Sequence, residues 1–278
     1  MSAVSDDLDA ASIRAVTFDF GDTLVPVPAA AFRSIVAATA AEVSARLGLD
    51  GADGFLEDWE SERSRQWAED VAEGREMDLE RRFARVIARR RGLAAPPTAL
   101  RWDDAAVDAV ADRVEVAWAV ERYRDRWVSG VAVPFDVAPV LARLATDRPL
   151  AILSNWPDAP TIDLFVERAG WGPYFAAVVV SARVGAIKPD VAIFRTAEDA
   201  LGMRGAPAGA ILHVGDDRRA DVAGARRAGW RAAWLRRRNP GSPLPGAGLD
   251  PDPDDPPADV EIDALSDLVP LLARLPAG

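Results

Sequence analysis

The chain has no cysteine, one histidine and a single lysine among 278 residues. The lack of cysteine excludes a disulfide framework, a thiol nucleophile and a zinc–thiolate centre. With His213 as the sole imidazole, metal chemistry must rest on oxygen ligands, which points to magnesium rather than zinc. Long apolar runs are missing too: none reaches the roughly 18 residues that a membrane span needs. Positive charge is in deficit, since 33 bases against 44 acids leave −11. Such a surface repels phosphate backbones, so neither nucleic acid nor a membrane is expected as a partner. The N-terminus places Asp6, Asp7 and Asp9 before its first base, Arg14, the wrong charge for a signal peptide. A cytoplasmic protein is the expectation.

What remains is an ordinary globular composition, 49 % hydrophobic and 28 % charged, long enough for one large domain or two modest ones. Nearly continuous apolar runs predict strands at Ile13–Phe20, Pro149–Ser154, Ala177–Ser181, Ala210–Val214, Arg231–Leu235 and Ala258–Ile262. Helical patterns lie between them at Phe135–Thr146, Pro160–Ala169, Val191–Leu201 and Arg219–Ala228, and the last three stop at Gly170, Gly202 and Gly229. This alternation predicts an α/β fold with a Rossmann-like parallel sheet, whose sites gather at the carboxyl ends of the strands.

Residues 25–133 break the alternation and predict an inserted all-helical domain, leaving 1–24 and 134–278 for the α/β core. Leu79, Phe83, Val86 and Ile87 form one helical stripe, and Val107, Val110, Val114, Ala117 and Trp118 form another. The tryptophans at 59, 67, 102, 118 and 127 read as packing between these helices, and Arg89-Arg90-Arg91 as a solvated helix end. The first ten residues read as a frayed tail. Residues 239–257, rich in proline and glycine, read as a loop or a disordered excursion.

Four clusters fall at predicted strand ends: Asp19-Phe20-Gly21-Asp22-Thr23, Leu153-Ser154-Asn155, Ile187-Lys188-Pro189 and Gly215-Asp216-Asp217 with Asp221. Of 33 basic residues only Lys188 is lysine, which marks a position that a planar guanidinium does not serve. A carboxylate can attack phosphorus and split one difficult transfer into two steps. Two facing carboxylates need a divalent cation between them, and a hydroxyl, an N–H and an ammonium can answer the remaining transition-state charge. His213, in the apolar run Ala210–Val214, reads as a satisfied core residue rather than a base.

Taken in this order, the clusters resemble those of the haloacid dehalogenase (HAD) superfamily, in particular the aspartate-nucleophile phosphatases with a helical cap after the first strand. The resemblance implies a Rossmann-like core, magnesium and a small phosphorylated metabolite. It implies Asp19 as nucleophile and metal ligand, Gly21 as a carbonyl ligand and Asp216 as the second metal carboxylate. Ser154 and the Asn155 N–H would bind phosphate, and Lys188 would stabilise Asp19 and the transferred group. Asp221 is implied as a supporting acid, with Asp217 either assisting or solvated.

One departure matters. Such phosphatases usually carry a second aspartate two residues after the nucleophile, where this chain has Gly21, and the acid falls one place later at Asp22. Asp22 reads as a turn residue that local geometry could still bring to the site. The same departure keeps two alternatives open, a metal-independent 2-haloacid dehalogenase and a catalytically weak HAD-fold binding or scaffold protein.

Overall fold

A computed structural model describes residues 8–94, 108–236, 241–244 and 253–273. Six parallel strands form one sheet in the order β3-β2-β1-β4-β5-β6. They are β1 (Ala15–Phe18), β2 (Leu150–Ser154), β3 (Phe175–Val180), β4 (Ile211–Gly215), β5 (Arg231–Leu235) and β6 (Val260–Ile262). Every residue of β1, β2 and β4 is buried, which is why these segments read as unbroken apolar runs. The chain winds from β1 outward through β2 to β3, then returns to β4 on the other side of β1. The β1/β4 crevice is therefore the topological switch point, where an open α/β sheet places its ligand site.

All the predicted strands form, and only Arg231–Leu235 keeps its predicted bounds; two of the shifts bear on the site. The first ends at Phe18, so Asp19 stands just beyond the ladder, and the third ends at Val180, with Ser181 opening a short helix. In chain order the helices are α1 (Ala29–Leu47), α2 (Ala52–Glu69), α3 (Leu79–Arg90), α4 (Arg113–Gly130), α5 (Val137–Ala145), α6 (Ala159–Arg168), α7 (Ser181–Val184), α8 (Val191–Ala200), α9 (Gly224–Arg227) and α10 (Leu268–Leu272). Helix α8 presses Ile193, Phe194 and Ala197 into a core shared with Leu153, Val179, Ile211 and Trp230. The predicted helix at 219–228 is instead a π-helical turn, Arg218–Ala223, running into α9.

The chain divides into two compact units, Met1–Pro28 with Ala132–Gly278, and Ala29–Val131. Among its described residues the second unit is wholly helical. The Asp78 carboxylate accepts the Arg81 N–H at 2.9 Å and starts α3, whose Leu79, Phe83, Val86 and Ile87 are buried. Phe83 packs on Trp59 with ring centroids 4.8 Å apart, a contact whose loss on truncation to alanine would cost about 3–5 kcal/mol.

Several expectations for this unit need correction. The second stripe is out of phase: α4 buries Val116, Ala119, Val120, Tyr123 and Trp127, while Val114 is 74 % exposed and Ala117 faces water. Val107 and Trp102 lie outside the described residues. Asp112 caps α4 by accepting the Val114 N–H at 2.7 Å, which places the helix start too late for Val110 to join the stripe. Trp59 and Trp127 are buried as expected, but Trp67 and Trp118 are half-exposed, the latter beneath the Arg46 guanidinium at 4.6 Å. Arg89, Arg90 and Arg91 do end α3, yet each is paired: Arg89 with Glu62, Arg90 with Asp58, Arg91 with Glu115.

In the first unit, Asp9 caps a short turn at Ala10–Ser12 and Ala10 is buried, so the expected tail is shorter than ten residues. Of the expected loop, 239–240 and 245–252 lie outside the described residues. Residues 241–244 are not an excursion, because Ser242 and Leu244 pack against the turn after β1.

Candidate active site

Asp19, Ser154, Lys188, Asp216 and Asp221 come together at the carboxyl ends of β1, β2 and β4. Asp19 follows β1, and its N–H donates to the Val214 carbonyl at 2.9 Å, which ties it to β4. Lys188 arrives on the loop after α7 and is 3 % exposed. Its Nζ donates to Asp19 Oδ1 at 2.7 Å, Asp221 Oδ1 at 2.6 Å and the Leu153 carbonyl at 2.9 Å. Three acceptors use all three ammonium protons, a tetrahedral arrangement that a planar guanidinium does not reproduce. The clustering of Asp19, Asp216 and Asp221 is tight: an oxygen from each lies within 4.8 Å of the others.

The π-helical turn sets Asp221. Its Oδ2 accepts the Asp217 N–H at 2.9 Å, and a methyl group at Gly215 would overlap its carboxylate. That close approach requires glycine at 215. Asp217 caps the π-helical turn, since its Oδ1 accepts the Arg219 and Ala220 N–H groups at 2.8 Å each. Asp216 holds a different position. Its Oδ1 accepts the Thr23 hydroxyl at 2.9 Å, and its carbonyl accepts the Trp234 indole N–H at 2.9 Å.

Burial and crowding set the charges. Desolvation pushes Asp19 up to about 6 against the pull of Lys188 and a hydrogen bond from Ser154. Asp216 is raised well above the usual carboxylate range by burial and by the negative charges of Asp221 and Asp19. Burial acts the same way on Asp221, but the Lys188 ammonium and His213 outweigh it and hold Asp221 low. For Lys188, burial opposes the charge while Asp19 and Asp221 overcome it, so its pKa rises. The lysine is a permanent cation.

Asn155 contributes more than its N–H. Its Oδ1 accepts the Lys188 N–H at 2.7 Å and its Nδ2 donates to the Lys188 carbonyl at 3.0 Å, clamping the peptide that carries the lysine. His213 is buried, as its sequence context predicts, and also reaches the site: Nε2 lies 3.1 Å from Asp221 Oδ1 and Nδ1 lies 2.8 Å from Thr17 Oγ1. Thr17, Thr23, Ser242 and Leu244 are site neighbours that sequence reasoning passed over. The signal for Thr17 is a hydroxyl inside a fully buried apolar run, which needs a partner nearby.

Gly21 and Asp22 form the turn after β1. The Asp22 backbone is left-handed (φ 54°), and its buried carboxylate accepts the Val27 N–H at 2.9 Å and the Ser242 hydroxyl. A Cβ at Gly21 would meet Leu244 Cδ1 at 2.5 Å and Trp156 Cζ3 at 3.4 Å. Apolar side chains thus wall the place where a side chain at 21 would project.

Residues 13–229 match the haloacid dehalogenase-like hydrolase family over most of the chain. The chain belongs to that family. This HAD-like hydrolase is 36 % identical over 114 residues to 5-amino-6-(5-phospho-D-ribitylamino)uracil phosphatase YigB of Escherichia coli, covering 41 % of the chain and 44 % of the relative. It is 44 % identical over 89 residues to phosphoserine phosphatase of Thermus thermophilus, covering 32 % and 34 %. The chain thus spans less than half the length of these curated relatives. Among solved structures, the 2-haloacid dehalogenase of Pseudomonas syringae pv. tomato superposes with a TM-score of 0.62 at 30 % identity, covering 94 % of this chain and 99 % of that one. Among the described residues of the HAD-like hydrolase, no helix is long and apolar enough to cross a membrane.

Proposed function

We propose that this hydrolase is a magnesium-dependent phosphatase of a small phosphorylated metabolite, working through an aspartyl-phosphate on Asp19. The observation that carries this reading is the convergence of three carboxylates within 4.8 Å of one another, two of them on one ammonium. A single lysine offsets one charge of the three, while burial first and then the neighbouring carboxylate charges raise Asp19 and Asp216. The donor set fits a hard cation with oxygen ligands: Asp19, Asp216 and the Gly21 carbonyl. When bound, magnesium would neutralise the carboxylates and the phosphoryl oxygens. The two curated relatives are both phosphatases by name, which supports the reading.

Asp19, held by Lys188, attacks phosphorus; its O–P bond forms as the ester P–O bond breaks and the alkoxide or aryloxide departs, taking its proton afterwards from solvent water. Water then hydrolyses the acyl phosphate and restores the carboxylate. Ser154, the Asn155 N–H and Lys188 supply donors to the transferring group. No acid stands at 21, and both Asp22 oxygens have internal donors. The leaving oxygen departs without a proton, forfeiting a factor of about 10²–10⁴ on poor leaving groups. Aryl and acyl phosphates are therefore the favoured class over alkyl phosphates.

Hydrolytic dehalogenation is the second reading, favoured by the 30 % identity to the Pseudomonas syringae dehalogenase. Against it stands Asp216, an extra anion with no use where no metal binds. The deciding experiment measures phosphate release from an aryl phosphate and halide release from a 2-haloacid, each with magnesium and with excess chelator. Magnesium-dependent phosphate release that Asp216→Asn abolishes is expected. Halide release that persists in chelator and in Asp216→Asn would replace the phosphatase reading.

A further inference from the structure

Among the described residues, the helical unit contains a buried cation with no ion-pair partner. Helix α3 carries Arg82, Arg85 and Arg89 along one face toward α2. Glu62, fully buried on α2, accepts Arg85 Nε at 2.7 Å and Arg65 Nε at 2.8 Å and also pairs with Arg89. One carboxylate therefore serves three guanidiniums, and Arg82 is not among them.

Arg82 is 2 % exposed. Its Nε donates to Gln66 Oε1 at 2.9 Å, its Nη2 lies 3.4 Å from the Met77 sulfur, and the Trp59 ring centroid is 4.7 Å from its Cζ. These neighbours are all neutral. The Gln66 amide is fixed in turn, because its Nε2 donates to the Asp78 carbonyl at 2.8 Å, which aims Oε1 at the arginine. The charged and titratable groups around it are Arg63, of like sign, and Glu60, Glu76 and Tyr123. None of the acids forms an ion pair with it. Burial lowers the guanidinium to about 10, so it keeps its proton at neutral pH.

An unpaired buried charge costs several kcal/mol, and a hydrophobic side chain of similar size would avoid that cost. A guanidinium has five donors in a rigid fork, and among the described residues only Nε and Nη2 have partners. The remaining edge suits two oxygens of a carboxylate or phosphate group. We propose that Arg82 anchors an anion-binding site in the helical unit, taking a small molecule through an oxyanion group. Arg82 belongs to the helical unit and Asp19 to the other, and the inference stands whether the hydrolase acts on phosphate esters or on haloacids.

The test uses the full chain, labelled with ¹⁵N and free of magnesium, titrated separately with malonate and with inorganic phosphate. The Arg82 Nε–Hε resonance, assigned by its loss in Arg82→Met, is expected to shift and saturate with at least one anion. A shift with malonate alone marks a carboxylate site, with phosphate alone a phosphate site, and with both a general oxyanion site. Malonate is also expected to raise the Tm of the wild type in the first and third cases, with the rise lost in Arg82→Met and reduced in Arg82→Lys, which lacks the fork. Without anion, Arg82→Met should melt at or above the wild type, because an unpaired buried charge has been removed. A resonance that moves with neither anion would overturn the proposal, as would an anion-dependent rise in Tm that Arg82→Met retains in full. The wild-type resonance decides the matter even if the methionine variant folds poorly.

Discussion

At the scale of single residues, Lys188 shows how a count becomes geometry. The sequence uses arginine for every cation but one, and the exception is a buried ammonium with three acceptors at 2.6–2.9 Å. Lys188→Arg keeps the charge but substitutes a planar fork that cannot donate to all three. Turnover is expected to fall at least about tenfold, corresponding to about 1.4 kcal/mol of transition-state stabilisation. Steady-state kinetics beside circular dichroism check this, and unchanged turnover would show that only charge matters at 188. His213 teaches the reverse lesson. Its apolar surroundings were legible, yet its bond to Asp221 was not, because the two residues meet only through the π-helical turn.

Among elements, the turn after β1 and residues 241–244 act together. Ser242 bonds the Asp22 carboxylate and Leu244 closes the space beside Gly21, so distant segments share one local packing problem. Gly21→Asp alone overpacks that space and is expected to cost about 1–3 kcal/mol. Leu244→Ala in the same chain removes the obstacle and should recover most of the loss. Turnover of alkyl relative to aryl phosphates should rise in the double variant and much less in either single one, as parallel kinetics on the two substrate types would show. An equal rise in Gly21→Asp alone would mean that Leu244 yields without cost. This coupling was invisible in the sequence, where 239–257 carries turn-formers and no periodicity. The phase of α4 was misread for a related reason: its start is set by the Asp112 cap, and the apolar residues before it suggested an earlier one.

For the molecule as a whole, stability depends on pH and, under the proposed function, on metal. Asp19, near 6, and Asp216 both lie above the ordinary carboxylate value of 3.8. The metal-free native state thus binds more protons than the unfolded chain between these values. For Asp19 that contribution to stability is complete below 3.8 and is lost as pH rises through about 6, and Asp216, raised by burial and neighbouring charge, contributes in the same sense. Asp221, held low, contributes in the opposite sense, with stability lost only as pH falls below 3.8. Magnesium requires the ionised carboxylates, so its binding releases protons. The rise in Tm on adding magnesium should be large one unit above about 6 and small one unit below it, measured by calorimetry. A rise independent of pH would remove Asp19 and Asp216 from metal binding.

The sequence by itself determined the α/β class, the sheet-forming runs and the set Asp19, Ser154, Lys188 and Asp216. Buried parallel strands must be apolar throughout, and polar residues at their ends therefore stand out. Only the tertiary structure decided that Asp217 is a cap, that Asn155 clamps the Lys188 peptide, that Asp22 is held within its turn and that Arg82 lacks a carboxylate. The contacts of Asn155 with Lys188, Asp22 with Ser242 and Arg82 with Gln66 join residues far apart in the chain, and a hydrogen bond between distant residues leaves no periodic trace in the sequence.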